Sequence, residues 1–253
     1  MMKKRLFSVL LCIIVATFLA ACGSGGASSK TVDEKFVSAA AKGLQARWDL
    51  SDKNDTEGTS NTADSFIACV DEELNAIAEY KDAEFEDEAL GKLANEYIEL
   101  LEKSKQLASD YYDKNYSTFD SEYTPLNQRR SQIIKSLSED YQLPIDEDHT
   151  DTLNTFIADA NLNTAVQDII SSTTFEMIED DYGWKKYQAV VENTTEKTFD
   201  SFNFDINLVD KDGVVVETQS AYTENWKPGD KHRFEFSTDV EFDKIEVEKA
   251  EWY

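Results

Sequence analysis

The spacing of apolar residues along the chain changes once, from the period of a helix to the period of a strand. Between about residues 31 and 182, apolar side chains recur every three or four positions, which places them on one face of an α-helix. The clearest stripe consists of Phe36, Ala40, Leu44 and Trp48. We therefore predict a bundle of amphipathic helices over this part of the chain.

Polar stretches and prolines between these stripes predict where the helices begin and end. Ser51–Asn61 contains no apolar residue and predicts a loop. Pro125 predicts a helix that begins near Thr124, because proline is tolerated in a first turn. Pro144 predicts the end of that helix. The pattern leaves open whether Ala160-Asn161 divides the last helical segment into two.

From Gly183 onward, apolar and polar residues alternate, which is typical of strands with one buried face. The most regular run alternates apolar and polar residues in the order Phe202, Asn203, Phe204, Asp205, Ile206, Asn207 and Leu208. Turn signals at 210–213 and 227–230 separate short strands. Five predicted strands in about 70 residues favour a small antiparallel sandwich. The predicted fold class is α+β multidomain, with an α-helical bundle followed by this sandwich.

The N-terminus carries the most specific motif of the chain. A positive segment, Lys3 to Arg5, precedes an apolar run from Leu6 to Leu19 that is short for a membrane-spanning helix. The run ends in Leu19-Ala20-Ala21-Cys22, which resembles the lipobox of bacterial lipoproteins. The resemblance implies that residues 1–21 are a signal peptide and that the thiol of Cys22 receives a diacylglycerol.

A lipidated Cys22 determines where the protein resides. Two acyl chains bind a membrane stably, at about 0.8 kcal/mol per buried CH₂, whereas one chain binds marginally. The resemblance therefore implies a lipid anchor in the cell membrane, with the folded part on the extracytoplasmic face. Residues 22–30 are rich in glycine and serine and predict a flexible tether. The alternative is an uncleaved signal anchor in which the cysteine is coincidental.

A second resemblance covers residues 184–253. Ile206-Asn207-Leu208-Val209-Asp210, the turn and valines of residues 212–215, and Pro228-Gly229-Asp230 before Phe234 follow the order of the FxLYD domain of Gram-positive lipoproteins. The sequence departs from that family at Ile206, Val209 and Asp230, where the family has Phe, Tyr and Glu. The resemblance implies an immunoglobulin-like fold without catalytic residues, after a helical domain at 31–183.

The charge of the chain excludes one class of partner. The formal net charge is −26, and the signal peptide carries three basic residues and no acid, so the mature chain is more negative still. Nucleic acids require a basic face, and we predict no nucleic-acid binding. The acidic surface allows basic protein partners or cations, but it is also compatible with a plain solvated coat.

Cysteine usage predicts a protein without internal disulfides. Cys12 lies in the signal peptide and Cys22 at the acylation site, so only Cys69 remains. Its neighbours Phe66, Ile67 and Val70 are apolar, which predicts a small core residue. An exported protein of this kind is typical of a Gram-positive cell surface.

The residues that usually ligate metals give no strong motif. His149 follows three acids, Asp146 to Asp148, but adjacent residues cannot all point at one ion, and we favour an acidic helix-capping turn. His232 lies beside a turn and is predicted to be an exposed strand residue. Asp210–Gly213 begins like a calcium loop, but its spacing favours a hairpin turn. We therefore predict no metal and no cofactor.

The aromatic and acidic residues leave two functions open. A carbohydrate platform is possible, although most of the aromatic residues are expected to pack in the interior. The residues considered for it are Trp48, Trp184, Trp226, Trp252, Tyr111, Tyr112, Tyr116 and Tyr123. The preferred function is a non-enzymatic surface binding module, with a cell-surface protein or the cell wall as partner and no catalytic residue. The alternative is a cell-envelope hydrolase that uses a carboxylate pair.

The anchor predicts a clear labelling result. In cells fed labelled palmitate, Cys22→Ser should abolish incorporation and leave the protein unprocessed or released, because the acylated thiol is absent. Cys12→Ser is the matched control and should incorporate label normally, since that residue leaves with the signal peptide. Label that persists in the Cys22→Ser protein would disprove the anchor.

Overall fold

The computed structural model describes residues 30–252, in which five α-helices precede six β-strands. The helices are α1 (Val32–Glu57), α2 (Ala63–Ile77), α3 (Glu88–Leu107), α4 (Tyr116–Tyr141) and α5 (Thr150–Ser172). The strands are β1 (Glu176–Asp181), β2 (Trp184–Glu192), β3 (Phe199–Val209), β4 (Val215–Trp226), β5 (Lys231–Thr238) and β6 (Lys244–Trp252). This order confirms the predicted α+β class, with the helical part first.

Helix α1 shows how local sequence sets the limits of an element. Its N-terminus is a capping box: the Thr31 hydroxyl accepts the Glu34 N–H at 3.2 Å, and the Glu34 carboxylate accepts the Thr31 N–H at 3.1 Å. The helix ends where Gly58 adopts a left-handed conformation with φ of 69°. The prediction of a loop over Ser51–Asn61 was therefore wrong for its first half, because those polar residues are the last turns of α1.

Helices α4 and α5 also differ from the sequence-based expectation. Helix α4 begins at Tyr116 rather than near Thr124, with the Asn115 side chain accepting the Thr118 N–H at 3.4 Å. Pro125 therefore lies inside the helix, where it removes one backbone hydrogen bond. Helix α4 has buried side chains on both sides of the proline, Phe119 before it and Arg130 after it. Helix α5 is continuous through Ala160-Asn161, which answers the question left open above.

Helices α1 and α2 approach each other closely at Gly43. A Cβ atom built at Gly43 would lie 2.8 Å from the Ala76 Cβ and 2.9 Å from the Glu73 Cα, closer than real Cβ atoms come. The glycine thus permits the two helix backbones to touch, one turn before Arg47 of α1. The core that these helices share with α3 and α4 contains buried residues that include Phe36, Leu44, Val70, Leu90, Ile98, Leu101, Ile133, Ile134 and Leu137.

The strands form two antiparallel sheets, in the orders β1-β2-β5 and β4-β3-β6, which pack against each other. The predicted inward face of β3 is confirmed. Phe202, Phe204, Ile206 and Leu208 are fully buried, and the Phe204 and Phe234 ring centroids are 4.7 Å apart across the sandwich. The alternation fixes the register, because a shift by one residue would bury the polar face of β3 instead.

Strand β1 was not predicted, because the helical pattern had been extended to residue 182. It pairs with β2 through a hairpin whose two turn residues, Tyr182 and Gly183, have φ of 54° and 91°. Two positive φ values define the tight turn that suits a right-twisted hairpin. The change of pattern at Gly183 therefore falls within this hairpin. Every residue of β1 is exposed, so the strand has no buried face to give a period-two signal.

Helix α5 contributes to both hydrophobic cores. Leu153, in its first turns, belongs to the helical core, whereas Val166, Ile169 and Ile170 belong to the core of the sandwich. Thr31–Tyr253 clusters as one compact unit. The division into a helical domain at 31–183 and a sandwich domain at 184–253 stays a prediction. Cys22, residues 1–21 and the tether up to residue 29 lie outside the described residues.

The two faces of β3 should differ sharply in their contribution to stability. Phe204→Ala should lower the free energy of unfolding by about 3–5 kcal/mol, because it leaves a cavity between the sheets. Asn203→Ala, the matched control on the half-buried outer face, should cost less than about 1 kcal/mol. Urea denaturation of the full mature chain measures both, and equal losses would contradict the assigned register.

Candidate functional site

The helical core contains one buried acid, Glu73 of α2, which is 1% exposed. Arg130 donates from Nε to Glu73 Oε2 at 2.9 Å and from Nη2 to Oε1. Arg47 Nη1 donates to Oε1 at 3.2 Å, and the Tyr97 hydroxyl donates to Oε2 at 2.7 Å. Both carboxylate oxygens are thus satisfied, as a buried charge requires.

Two side chains of α4 extend this network towards the surface. The Tyr123 hydroxyl accepts from Arg47 Nη2 at 3.5 Å and donates to Asn127 Oδ1 at 3.1 Å. Asn127 Oδ1 also accepts from Arg130 Nη1 at 3.3 Å. The Arg130 guanidinium lies 5.2 Å from the ring centroid of Phe156, which brings α5 into contact with the same group. The network therefore includes or contacts side chains from all five helices.

The electrostatics of this network fix its protonation state. Burial alone would raise the pKa of Glu73, but the guanidinium groups of Arg130 and Arg47 outweigh burial and hold that pKa below its usual value. Burial, together with the Glu73 carboxylate, raises the pKa of Tyr97 well above its usual range. Glu73 is therefore ionised and Tyr97 neutral, the opposite of a carboxyl group prepared to act as a general acid.

An aromatic cluster surrounds the single π-helical turn, Ala108–Tyr112, that follows α3. Neighbouring ring centroids in this cluster are 4.7 to 5.7 Å apart. Its members are Phe66, Tyr112, Tyr116, Phe119 and Tyr123. The structure thus brings together three of the four tyrosines considered for a carbohydrate platform. Only Tyr116 of these exposes more than half of its surface, so the cluster is mainly interior packing.

The four tryptophans divide in the way that the expectation of interior packing suggested. Trp226 is fully buried, and Trp48 and Trp252 are partly buried against the two cores. Trp184 is 53% exposed and lies at the start of β2, next to the hairpin turn. It is the one tryptophan whose ring is available to a partner.

Both histidines are engaged with neighbouring side chains. His149 Nε2 lies 3.0 Å from Asp49 Oδ1, and the imidazole stacks on Trp48 with ring centroids 5.8 Å apart. Residues 30–252 contain no group of three His, Cys, Asp or Glu side chains that could hold a metal ion. The prediction that His232 is an exposed strand residue was wrong. Its ring is half-buried, and Nδ1 lies 2.5 Å from Thr223 Oγ1 of β4, because β5 turns this side chain inwards.

The remaining predicted residues have structural positions or lie outside the structure. Cys22, the predicted lipidation site, is not among the described residues. Cys69 is buried with a free thiol, and burial raises its pKa, so it is the core residue that the sequence predicted. Asp210 Oδ1 accepts the N–H groups of Asp212 and Val214, both at 2.9 Å, which confirms the predicted hairpin turn.

The β1–β2 hairpin exposes a group of large apolar side chains that the sequence analysis did not identify. These side chains, here named the hairpin surface, are Met177, Ile178, Tyr182, Trp184 and Val190. All five keep at least half of their surface in solvent, and Tyr182 is fully exposed at the turn. The local signal for this hairpin was Gly183, which adopts a φ of 91° in the turn. Exposed apolar groups rimmed by charge often mark an interaction site.

Comparisons with known proteins identify no family for this chain. No protein-family model matches the chain, and no curated protein matches it. One solved structure, IrmA from Escherichia coli, shares 21% identity over 32% of this chain and 73% of its own, with a TM-score of 0.27. A likeness of that size carries no conclusion. Among residues 30–252, no helix combines the length and the apolar content needed to cross a membrane.

The buried carboxylate should be far more important for stability than an exposed one. Glu73→Gln should lower the free energy of unfolding by about 3–5 kcal/mol, because it leaves two guanidinium groups without their charge partner. Glu96→Gln is the matched control. It removes the charge from the exposed ion pair in which Arg129 Nε lies 2.6 Å from Glu96 Oε1. The free energy of unfolding should fall by less than about 1 kcal/mol. Similar losses in the two variants would refute a structural role for the buried network.

The same carboxylate predicts a dependence on pH. Its pKa is lower in the folded protein than the value of about 4.3 expected in the unfolded chain. The stability that it contributes is therefore complete above that value and is lost as the pH falls through the folded pKa. The difference in unfolding free energy between the unmodified protein and Glu73→Gln should be constant from about pH 6 to 8 and shrink below about pH 4. A difference that grows in acid would contradict the assigned sign.

Proposed function

We propose that this chain is a bacterial lipoprotein, held at the extracytoplasmic face of the cell membrane through a lipid on Cys22, and that it acts as a non-catalytic binding module. The order of charge, apolar run, small residues and cysteine at the N-terminus supports the anchor. The strand and turn pattern that resembles the FxLYD domain supports an immunoglobulin-like assignment for the sandwich. The function is then to present a folded surface to a partner outside the cell.

The observation that carries the binding role is the hairpin surface. Keeping a large apolar side chain in water forgoes roughly 1.5–3 kcal/mol of burial free energy. The hairpin nevertheless exposes five such side chains within residues 177–190, although the sandwich core lies directly behind it. Trp184 and Val190 share one face of β2, whereas Met177 lies on the other face of the sheet. A partner that covers either face of the hairpin would recover part of that free energy. The hairpin is therefore the preferred contact surface.

Charge favours one kind of partner for this surface. Glu176, Glu179 and Asp181 lie on the same hairpin, and the chain as a whole carries a formal charge of −26. A field of this sign steers basic partners towards the surface and repels acidic ones. A cell-surface protein with an exposed basic segment fits better than an acidic polymer of the cell wall.

The alternative of a carboxylate-pair hydrolase finds no support at Glu73, the buried acid of residues 30–252. Its oxygens are occupied by Arg47, Arg130 and Tyr97, and its pKa is lowered. A general acid for glycoside hydrolysis requires a raised pKa and access to substrate. The binding role remains our preferred function.

Site-specific photo-crosslinking in intact cells tests the binding role. A benzophenone amino acid at position 182, in place of the fully exposed Tyr182, should form an adduct with one protein partner. The matched control replaces Tyr222, which is 69% exposed on β4, a strand of the other sheet. Adducts at 222 but not at 182, or none at 182, would refute the hairpin as the contact surface.

A further inference from the structure

Strand β1 is an open edge of the sheet β1-β2-β5. All six of its residues are exposed, so along this edge no other element of residues 30–252 buries the strand. An edge strand presents a row of backbone N–H and C=O groups on its unpaired side, and such a row is a template for pairing with another chain. Edge strands of this kind bind extended peptides in several families of domains.

A β-bulge in β1 places three carboxylates on one face of this edge. In the register with β2, Glu176 is opposite Gln188, and Glu179 is opposite Lys186, with an irregularity between Met177 and Glu179. In a regular strand, residues 176 and 179 would point to opposite faces. The bulge at Ile178 therefore turns Glu179 to the face of Glu176. Asp181, two residues further on, shares that face.

These three acids have no charged partner in the described part of the chain. Glu176, Glu179 and Asp181 form no ion pair and no side-chain hydrogen bond within residues 30–252, whereas the neighbouring Lys186 is paired with Glu235 at 2.7 Å. Opposite charges directly across neighbouring strands stabilise a sheet, and like charges destabilise it. A strand beside β1 would therefore be favoured if it carried basic residues on this face.

The other face of β1 is apolar at one position. Met177 is opposite Tyr187, whose ring stacks on Phe236 of the sandwich core with centroids 5.1 Å apart. Met177 itself is 54% exposed, because the sheet ends there. An added strand would cover Met177 with a residue of its inner face. The face of Glu176 thus selects basic residues, whereas the other face selects an apolar residue beside Met177 and has Asp180 opposite Lys185.

We propose that β1 binds an extended, basic segment of a protein partner, which adds a fourth strand to the sheet β1-β2-β5. The segment is about six residues long, to match β1, and alternates Lys or Arg with apolar residues. This inference rests on the proposed binding role of the hairpin and specifies the chemistry of its partner. We infer a basic segment because the three carboxylates attract positive charge, and an extended one because the open edge of β1 can pair with a strand.

The same charges disfavour the other possible occupants. A second copy of the chain paired through β1 would bring two sets of three carboxylates into contact, which is destabilising for directly opposed strands. An anionic lipid surface would be repelled by the acids that flank the exposed Tyr182 and Trp184. A basic polypeptide segment is the occupant that the charges favour.

The proposal is tested by measuring how a synthetic peptide binds the purified protein. The protein consists of residues 22–253 with Cys22→Ser, which removes the acylated thiol and retains the whole compact unit. The probe is an eight-residue peptide that alternates lysine with valine and threonine. It should bind, and it should slow hydrogen exchange of β1 amides. Replacing lysine by glutamate should abolish binding. Two further peptides are methylated at the backbone nitrogens of one or the other set of alternate residues. One of the two should bind at least tenfold more weakly than the parent, because its methyl groups replace the N–H groups that pair with β1 and its charge is unchanged.

Variants of the protein provide the second arm. Glu176→Lys with Glu179→Lys should weaken binding of the basic peptide at least tenfold. Asp200→Lys with Glu224→Lys is the matched control, because these exposed acids lie on β3 and β4, in the other sheet, and change the net charge equally. If both double variants lose the same affinity for the peptide, net charge alone explains the loss and the proposal is overturned.

The outcomes separate this inference from the proposed function. If both N-methylated peptides bind as well as the parent while crosslinking at position 182 succeeds, strand addition is wrong and the hairpin remains a binding surface. If crosslinking at position 182 fails, the proposed function is wrong as well. A dimer paired through β1 in sedimentation, or binding of phosphatidylglycerol vesicles in place of the peptide, would also overturn the proposal.

Discussion

The arrangement of the helices depends on one buried carboxylate. Each of the first four helices supplies one member of the network: Arg47 from α1, Glu73 from α2, Tyr97 from α3 and Arg130 from α4. The ring of Phe156, from α5, packs on Arg130. The buried charge adds a constraint to that of apolar packing, because a helix that slid by a turn would leave the carboxylate without its partners. The network therefore favours one alignment of the four helices that supply its members.

The close approach at Gly43 is the condition for this alignment. Because α1 and α2 touch there, Arg47 reaches Glu73 across a short gap at the next turn. In the sandwich, the equivalent constraint is the strict alternation of β3, whose inward side chains are all fully buried. The helical part thus obtains its specificity from charge pairing, and the sandwich obtains it from the register of its strands.

Much of the fold was predictable because its signals are local. The inward residues of β3 and the turn at Asp210 follow from the period and chemistry of the sequence alone. The end of α1 and the start of α4 were misjudged because tertiary packing stabilises polar turns and a proline that local rules would place outside a helix. Glu73 could not be distinguished among the 51 acids, since only the folded arrangement surrounds it with arginines. Strand β1 was missed for the complementary reason: an exposed edge carries no burial pattern.

Helix α5 has a mechanical consequence when the chain is pulled at its two ends. Its 23 residues extend about 34 Å, and its two ends are embedded in different cores. A pulling force between the two ends of the chain must therefore pass along this helix. Neither core can be extended without withdrawing side chains that the other part of the same helix holds in place. Under load between its two ends, we expect the helical part and the sandwich to yield together instead of opening in sequence.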